Sequence, residues 1–252
     1  MPKNIPQHLT ILTGASRGMG LAMAEQLLQA GQHLVCISRQ TNAQLTAPAG
    51  STLEQWQADL ADSLPVAQRL GQWLQQQNPA QWDSVTLINN AGTLAQLTPL
   101  RDADAADLAQ ALRVGLEAPM QLTAAFLAAT RSWPGLRRVL NISSGLGQRA
   151  MAASAAYCAA KAGMDHFTRC VALDEAGQTN GAKVCALAPG VVDTDMQAQL
   201  RGADAGAFAD QETFASLHRN GQLTSPGDAA VRVLAYLERK DFGSQPVANV
   251  RG

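Results

Sequence analysis

The sequence predicts a single α/β domain: a doubly wound parallel sheet with helices on both faces. Three observations predict it. Short β-type runs alternate with longer helical runs along the whole chain, the order that gives parallel strands joined by helical crossovers. A glycine-rich stretch, Thr13-Gly14-Ala15-Ser16-Arg17-Gly18-Met19-Gly20, falls between the first strand run and the first helical run. The 252 residues, 46% hydrophobic and 15% charged, suffice to bury one sizeable core.

In chain order, HLTILT (8–13) and HLVCIS (33–38) bracket GLAMAEQLLQAG (20–31), whose apolar residues recur at helical spacing until Gly31. That is a βαβ unit. LEQWQADL (53–60), SVTLINNAG (84–92), LRRVLNISS (136–144) and AKVCALAPG (182–190) supply further strands. Helical stretches 63–77, 104–130 and 151–176 lie between them. SPGDAAVRVLAYLER (225–239) opens on Ser225-Pro226, a helix start signal. QPVANV (245–250) predicts a last edge strand, and 193–223, the least regular part, is placed to act as a lid. No linker or internal repeat divides residues 1–252, so one domain is expected.

The formal net charge of -1 gives no reason to expect nucleic acid or an anionic membrane as a partner. The apolar run in MPKNIPQHLTILTGAS is too short for a signal peptide, and no run approaches the ~18 apolar residues of a membrane span, so a cytoplasmic protein is expected. Cys36, Cys158, Cys170 and Cys185 form no Cys-x-x-Cys pair, which predicts buried small hydrophobes rather than a metal site or disulfide framework. No Gly-x-Ser-x-Gly surrounds a serine, and His8, His33, His166 and His218 show no partnering, which argues against a serine hydrolase and for structural histidines.

Glycines at a strand-to-helix turn let the backbone approach a ligand, and the helix start offers free N–H groups to a pyrophosphate. A strand before, a helix after and a second strand ending about 20 residues on complete a Rossmann-type unit. At the end of that second strand an acidic residue would hold the ribose 2′-hydroxyl of NAD. Here Ser38 and Arg39 stand there, with Arg17 nearby. Two guanidiniums and a hydroxyl suit a 2′-phosphate, so NADP(H) is the expected cofactor. Tyr157 and Lys161, four apart, share one helix face. An isolated pair of this kind reads as a surface stripe; beside Ser144 and the glycine turn it reads as an active site.

The glycine turn, Asn89-Asn90-Ala91-Gly92, Ser144, Tyr157-x-x-x-Lys161 and Pro189-Gly190 together resemble the short-chain dehydrogenases/reductases. RVLNISSGLG, AYCAAKAG and ALAPGVVDTDMQAQLR resemble most the sepiapterin reductase branch and its bacterial benzil reductases. The resemblance implies that Gly14, Ser16, Arg17, Gly18, Met19, Gly20, Ser38 and Arg39 bind the dinucleotide. It puts Asp59 and Leu60 near the adenine and Asn89 to Gly92 (with Asn90 and Ala91) beside the adenosine ribose. Pro189, Gly190 and Val192 join the cofactor set, and Thr194 faces the carboxamide. It implies that Ser144 binds the substrate carbonyl, Tyr157 protonates its oxygen, and Lys161 holds the nicotinamide ribose. The Lys161 charge and a bound nicotinamidium are expected to pull the phenol below its ordinary pKa of about 10. Ser143 should face away from Ser144 and be structural, and Asp193 and Asp195 are expected to cap a helix starting near Met196.

Two departures bear on function. Gly115 stands where the family has an asparagine supporting a water that links the lysine to solvent. Glycine within a helix costs roughly 1 kcal/mol, so close packing or an extra water is expected, with turnover retained. Asn249 stands where sepiapterin reductases carry a pterin-anchoring aspartate, which weakens pterin recognition and favours an apolar or aromatic α-dicarbonyl. Met196, with Leu200, Phe208, Phe214 and Leu217, is expected to line that pocket or form core. The functional expectation is an NADPH-dependent carbonyl reductase acting on a small carbonyl compound; the alternative is a nucleotide-binding regulator with little turnover. A homodimer packing the alanine-rich helices 104–130 and 151–176 is expected.

Overall fold

The computed structural model describes residues 6–29 and 31–251. Residue 30 of the expected first helical run and the ends of the chain lie outside the described residues. Seven strands, β1 (His8–Thr13), β2 (Gln32–Ser38), β3 (Thr52–Gln57), β4 (Ser84–Asn89), β5 (Leu136–Ile142), β6 (Lys183–Ala188) and β7 (Val247–Asn249), form one sheet in the order β3-β2-β1-β4-β5-β6-β7. Every pairing is parallel, with Leu12 of β1 opposite Cys36 of β2 and Ile88 of β4. The chain runs outward from β1 through β2 to β3, then returns to β4 and builds the other half. That reversal leaves a crevice beyond the carboxyl ends of β1 and β4.

Helices cover both faces. Helix α1 (Gly18–Leu27) and α8 (Pro226–Leu237) bury Met23, Ala229 and Val233 against Leu12, Leu34 and Leu140. On the other face α2 (Ser63–Gln75) and α4 (Ala118–Thr130) bury Leu70, Leu74, Leu122 and Phe126 against Ile11, Val35 and Leu87. Successive strand residues alternate between the two cores, and burying one such side chain fully contributes roughly 1.5–3 kcal/mol. Ser225 caps α8 by accepting from the Asp228 N–H at 3.0 Å, with Pro226 in the first turn, as expected from the sequence.

Several boundaries differ from the sequence expectation. The stretch 104–130 is two helices, α3 (Ala105–Leu112) and α4, joined by a π-helical turn at Arg113–Glu117. The run 151–176 becomes helical only at Ala155, as α5 (Ala155–Ala176), because Ala153 takes a left-handed φ of 57°. The third strand stops at Gln57, since the Asp59 carboxylate accepts from Ala61 N–H and turns the chain into a short 3-10 segment. Residues 193–223 are more regular than expected and contain α6 (Asp195–Arg201) and α7 (Gln211–Arg219). Neither Asp193 nor Asp195 caps α6: Thr194 is its N-cap, Asp193 accepts from Arg201 at 2.9 Å, and Asp195 pairs with Arg17 at 3.0 Å.

The four cysteines are free. Cys36 and Cys185 are buried, which pushes both thiols up to about 12, whereas Cys170 is exposed, against expectation. His8 bonds to Ser84 and His33 to Thr52 and Gln7, as structural histidines do. Among the described residues no helix is long and apolar enough to cross a membrane.

Candidate active site

A cavity of about 670 Å³ opens at the carboxyl edge of the sheet. Gly14, Ser16, Arg17, Gly18, Met19 and Gly20 form its floor between β1 and α1. Ser38, Arg39, Asp59 and Leu60 close one end, and Asn90, Ala91 and Gly92 follow β4 along the middle. Ser144, Tyr157 and Lys161 line the inner end, facing Pro189, Gly190, Val192, Thr194, Met196 and Asn249. Every side chain expected at a cofactor or catalytic site from the motifs borders this space except Asn89. That residue, 1% exposed, points into the core, where its amide donates to Asn141 at 2.8 Å and Thr123 at 3.2 Å.

The floor is shaped for a phosphate-bearing ligand. Gly14 has φ +71°, and a Cβ there would sit 2.9 Å from Ala91 Cα. A Cβ at Gly20 would collide with the Gly14 carbonyl and the Asn90 amide. Thr13 Oγ1 accepts from Asn90 N–H and Ala91 N–H, and Asn90 Nδ2 donates to the carbonyls of Thr13 and Gly14, which ties the β4 end to the turn. No side chain caps the start of α1 and no acidic residue lies in its first turn, so its N–H groups and dipole are left for an anion. The Ser38 hydroxyl accepts from Ala15 N–H at 2.8 Å and so braces the turn as well. Arg17, paired with Asp195, is 68% exposed; such a pair contributes at most about 1 kcal/mol and yields to a better anion.

At the inner end, Lys161 is buried and donates to the Ile142 carbonyl at 2.6 Å, with Nζ 5.7 Å from the centroid of the Tyr157 ring. Burial lowers its pKa to about 8, against the opposing charge of Asp165. The sequence expectation concerned the Tyr157 phenol beside a bound nicotinamidium; in the protein alone its pKa shifts upward. Burial raises its pKa, opposed by a hydrogen bond with Ser144 and reinforced by the neighbouring Cys158. Desolvation of the phenolate is the largest cause, and the Lys161 ammonium is itself turned to the Ile142 carbonyl. At neutral pH the site therefore holds a protonated phenol, beside the Ser144 hydroxyl that opposes its upward shift and near a buried ammonium.

Residues 8–205 match the short chain dehydrogenase family. The chain belongs to that family. It is 36% identical over 247 residues to a benzil reductase ((S)-benzoin forming) of Bacillus cereus, covering 95% of this chain and 98% of that one. To the sepiapterin reductase of Rattus norvegicus it is 32% identical over 247 residues, covering 93% and 92%. A Beutenbergia cavernae protein assigned as an NAD(P)-dependent gluconate 5-dehydrogenase, solved with NADP at low occupancy, superimposes with a TM-score of 0.79 at 29% identity, covering 99% and 97%. As a short-chain dehydrogenase the protein is an oxidoreductase of CH–OH and C=O groups, with a fold that binds a nicotinamide cofactor.

In this short-chain dehydrogenase the inner cleft has an apolar wall. Met196, Leu200 and Phe214 line it, as the sequence suggested, and Leu94, Leu146 and Met151 add to it. Phe208, fully buried, stacks on Phe214 at 5.8 Å and belongs to the core beneath, and Leu217 also packs on this cluster rather than lining the cleft. The Asn249 Oδ1 accepts from the Arg251 N–H at 2.8 Å. Arg149, Arg251 and Gln197 also border the cleft and carry no motif that would reveal them in the sequence. Gln197 is 1% exposed, and neither amide atom has a hydrogen-bond partner among the described residues.

Gly115 sits in the π-helical turn, buried against α5. A Cβ there would lie 3.0 Å from Ala160 Cβ, next to Lys161. This supports close packing as the reason for the glycine. Gly115→Asn is therefore expected to overpack the helix pair by about 1–3 kcal/mol, lowering Tm by several degrees and turnover with it. Thermal unfolding and steady-state rates check this; a faster enzyme of unchanged Tm would contradict it.

Proposed function

We propose that the protein is an NADPH-dependent carbonyl reductase that turns a ketone or α-dicarbonyl, of benzil or sepiapterin type, into an alcohol. The observation that carries this reading is the convergence of Ser144, Tyr157 and Lys161 at the inner end of the cleft floored by the glycine turn. The turn and the start of α1 would hold the pyrophosphate, Asp59 and Leu60, which line one end of the cleft, would border the adenine, and Thr194 would face the carboxamide. When bound, a nicotinamide cofactor would supply the hydride for the carbonyl carbon. Ser144 would bind the carbonyl oxygen and Tyr157 would give it a proton, while Lys161 would hold the ribose and stabilise the phenolate left behind.

The preference for the 2′-phosphate rests on Arg39, exposed at the end of β2, and on Arg17. A hydrogen bond to a charged group contributes about 1.5–3 kcal/mol. Arg39→Ala should accordingly raise KM for NADPH by about 10–100-fold and leave KM for NADH nearly unchanged. Equal efficiency of the two cofactors with the unsubstituted protein would contradict this assignment.

For the substrate, the Met196, Leu200 and Phe214 wall suits an apolar body. With its amide oxygen already bonded, Asn249 offers the cleft an N–H donor, which suits a carbonyl better than a pterin's donor edge. Helices α6 and α7 act as the lid. The same reading includes a cytoplasmic homodimer paired through α4 and α5, where Met120 and Leu173 are 45% and 77% exposed. Cofactor oxidation against a panel of α-dicarbonyls and pterins tests the function. Reduction of an aromatic α-dicarbonyl is expected; a protein that binds NADPH and reduces nothing would be a regulator instead.

A further inference from the structure

The residue before Ser144 is fastened to the helix that carries Tyr157 and Lys161. Ser143 follows β5, buried, and its hydroxyl donates to Asp165 Oδ1 at 2.5 Å. Asp165 lies one turn beyond Lys161 on α5 and is 2% exposed. Its other oxygen lies against Gly147: a Cβ at 147 would sit 2.6 Å from Asp165 Oδ2 and 3.0 Å from the Lys161 carbonyl oxygen. Gly147 belongs to the turn Gly145–Gly147 that follows Ser144, where Gly147 N–H donates to the Ser144 carbonyl at 2.9 Å and Leu146 N–H to Ser144 Oγ at 3.2 Å. The chain on both sides of Ser144 thus rests on one buried carboxylate.

Packing alone does not hold this segment. Behind Ser143, Ser144 and Gly145 lies a second cavity of about 390 Å³, bordered also by Asp165 and Tyr236. Without a tether the loop has room to relax into it, and Ser144 would drift from the phenol. A buried carboxylate is costly unless hydrogen-bonded. Burial raises the Asp165 pKa, against the Ser143 hydrogen bond and the charges of Arg169 and Lys161. An apolar residue would fill the position at lower cost but could not accept from Ser143.

We infer that Ser143 and Asp165 are positioning residues, a clasp between β5 and α5 that sets the Ser144 hydroxyl against the Tyr157 phenol. The inference rests on the carbonyl reductase reading above. Ser143→Ala and Asp165→Ala should each lower kcat with a reducible carbonyl by about 10–100-fold, the effect of misplacing a reacting group. Affinity for NADPH, followed by fluorescence titration, should stay within about threefold, since Asp165 lies outside the cleft and Ser143, although it borders the cleft, turns its hydroxyl to Asp165 rather than to the glycine turn. Asp165→Asn keeps an acceptor oxygen for Ser143 and should recover kcat to within about threefold of the parent. In a Ser144→Ala background, Ser143→Ala should change the residual rate by less than about twofold, because the two act through one hydroxyl.

Parent-like kcat in Ser143→Ala and Asp165→Ala would overturn the clasp while leaving the reductase reading intact. So would losses that multiply independently in the Ser144→Ala background, or losses matched by equal losses of NADPH affinity, which mark general structural damage. An unsubstituted protein that reduces no carbonyl would overturn both.

Discussion

Tyr157→Phe is expected to lower turnover by about 10²–10⁴-fold, the range for removing a general acid, while leaving NADPH affinity within about threefold. Phenylalanine preserves the ring that packs with Leu94 and Met151, so the fold persists and only the hydroxyl is lost. Burial holds the phenol above its ordinary pKa, so at pH 7 it is a proton donor, the form that reduction of a carbonyl needs. Steady-state rates with a diketone, paired with a fluorescence titration of NADPH, check both halves. Parent-like turnover in Tyr157→Phe would show that another group delivers the proton.

Lys161→Met is expected to give the second large effect, in two directions. Turnover should fall by roughly 10²–10³-fold, as when one preorganised electrostatic donor is removed. Stability at pH 7 should rise. Burial lowers the Lys161 pKa from 10.5 to about 8, so the folded state disfavours the ammonium. The penalty is fully present below about pH 8 and disappears as pH rises toward 10.5, where the lysine is neutral in both states. At neutral pH it is on the order of 3 kcal/mol, and methionine removes it. Thermal unfolding at pH 7 should therefore show a Tm several degrees above the parent, with the gap closing as pH is raised. The same titration predicts that kcat/KM of the parent falls as pH rises through about 8, when the charge beside Tyr157 is lost. An inactive variant with lowered Tm would contradict the buried-ammonium account.

The parts of this molecule legible in the sequence are those fixed by backbone sterics and period. The glycine turn is legible because Gly14 and Gly20 meet the β4 end and each other's backbone, so no side chain fits. The strands of the sheet centre are legible because burial on both faces makes them continuous apolar runs. Tyr157 and Lys161 follow from helix geometry, and Ser144 from its place at a strand end. The π-helical turn at Gly115 was not legible, since it answers to Ala160 on another helix. Nor was the inward turn of Asn89, set by Thr123 and Asn141. The pairing of Arg17 with Asp195, residues far apart in sequence, replaced an expected cap for the same reason. The upward shift of Tyr157 in the protein alone comes from desolvation, a quantity that spacing does not encode. Gln197 and Met151 reach the cleft from loop and lid segments without a recurring pattern.

The central claim is that acid and hydride reach one carbonyl in this cleft. Turnover of an aromatic α-diketone with NADPH deuterated at the transferable position of the nicotinamide, followed by mass spectrometry of the hydroxyketone, tests it most directly. One deuterium at the new carbinol carbon, in an amount equal to the cofactor oxidised and lost in Tyr157→Phe, is the expected result. Unlabelled product, or cofactor oxidation without a matching alcohol, would contradict the account.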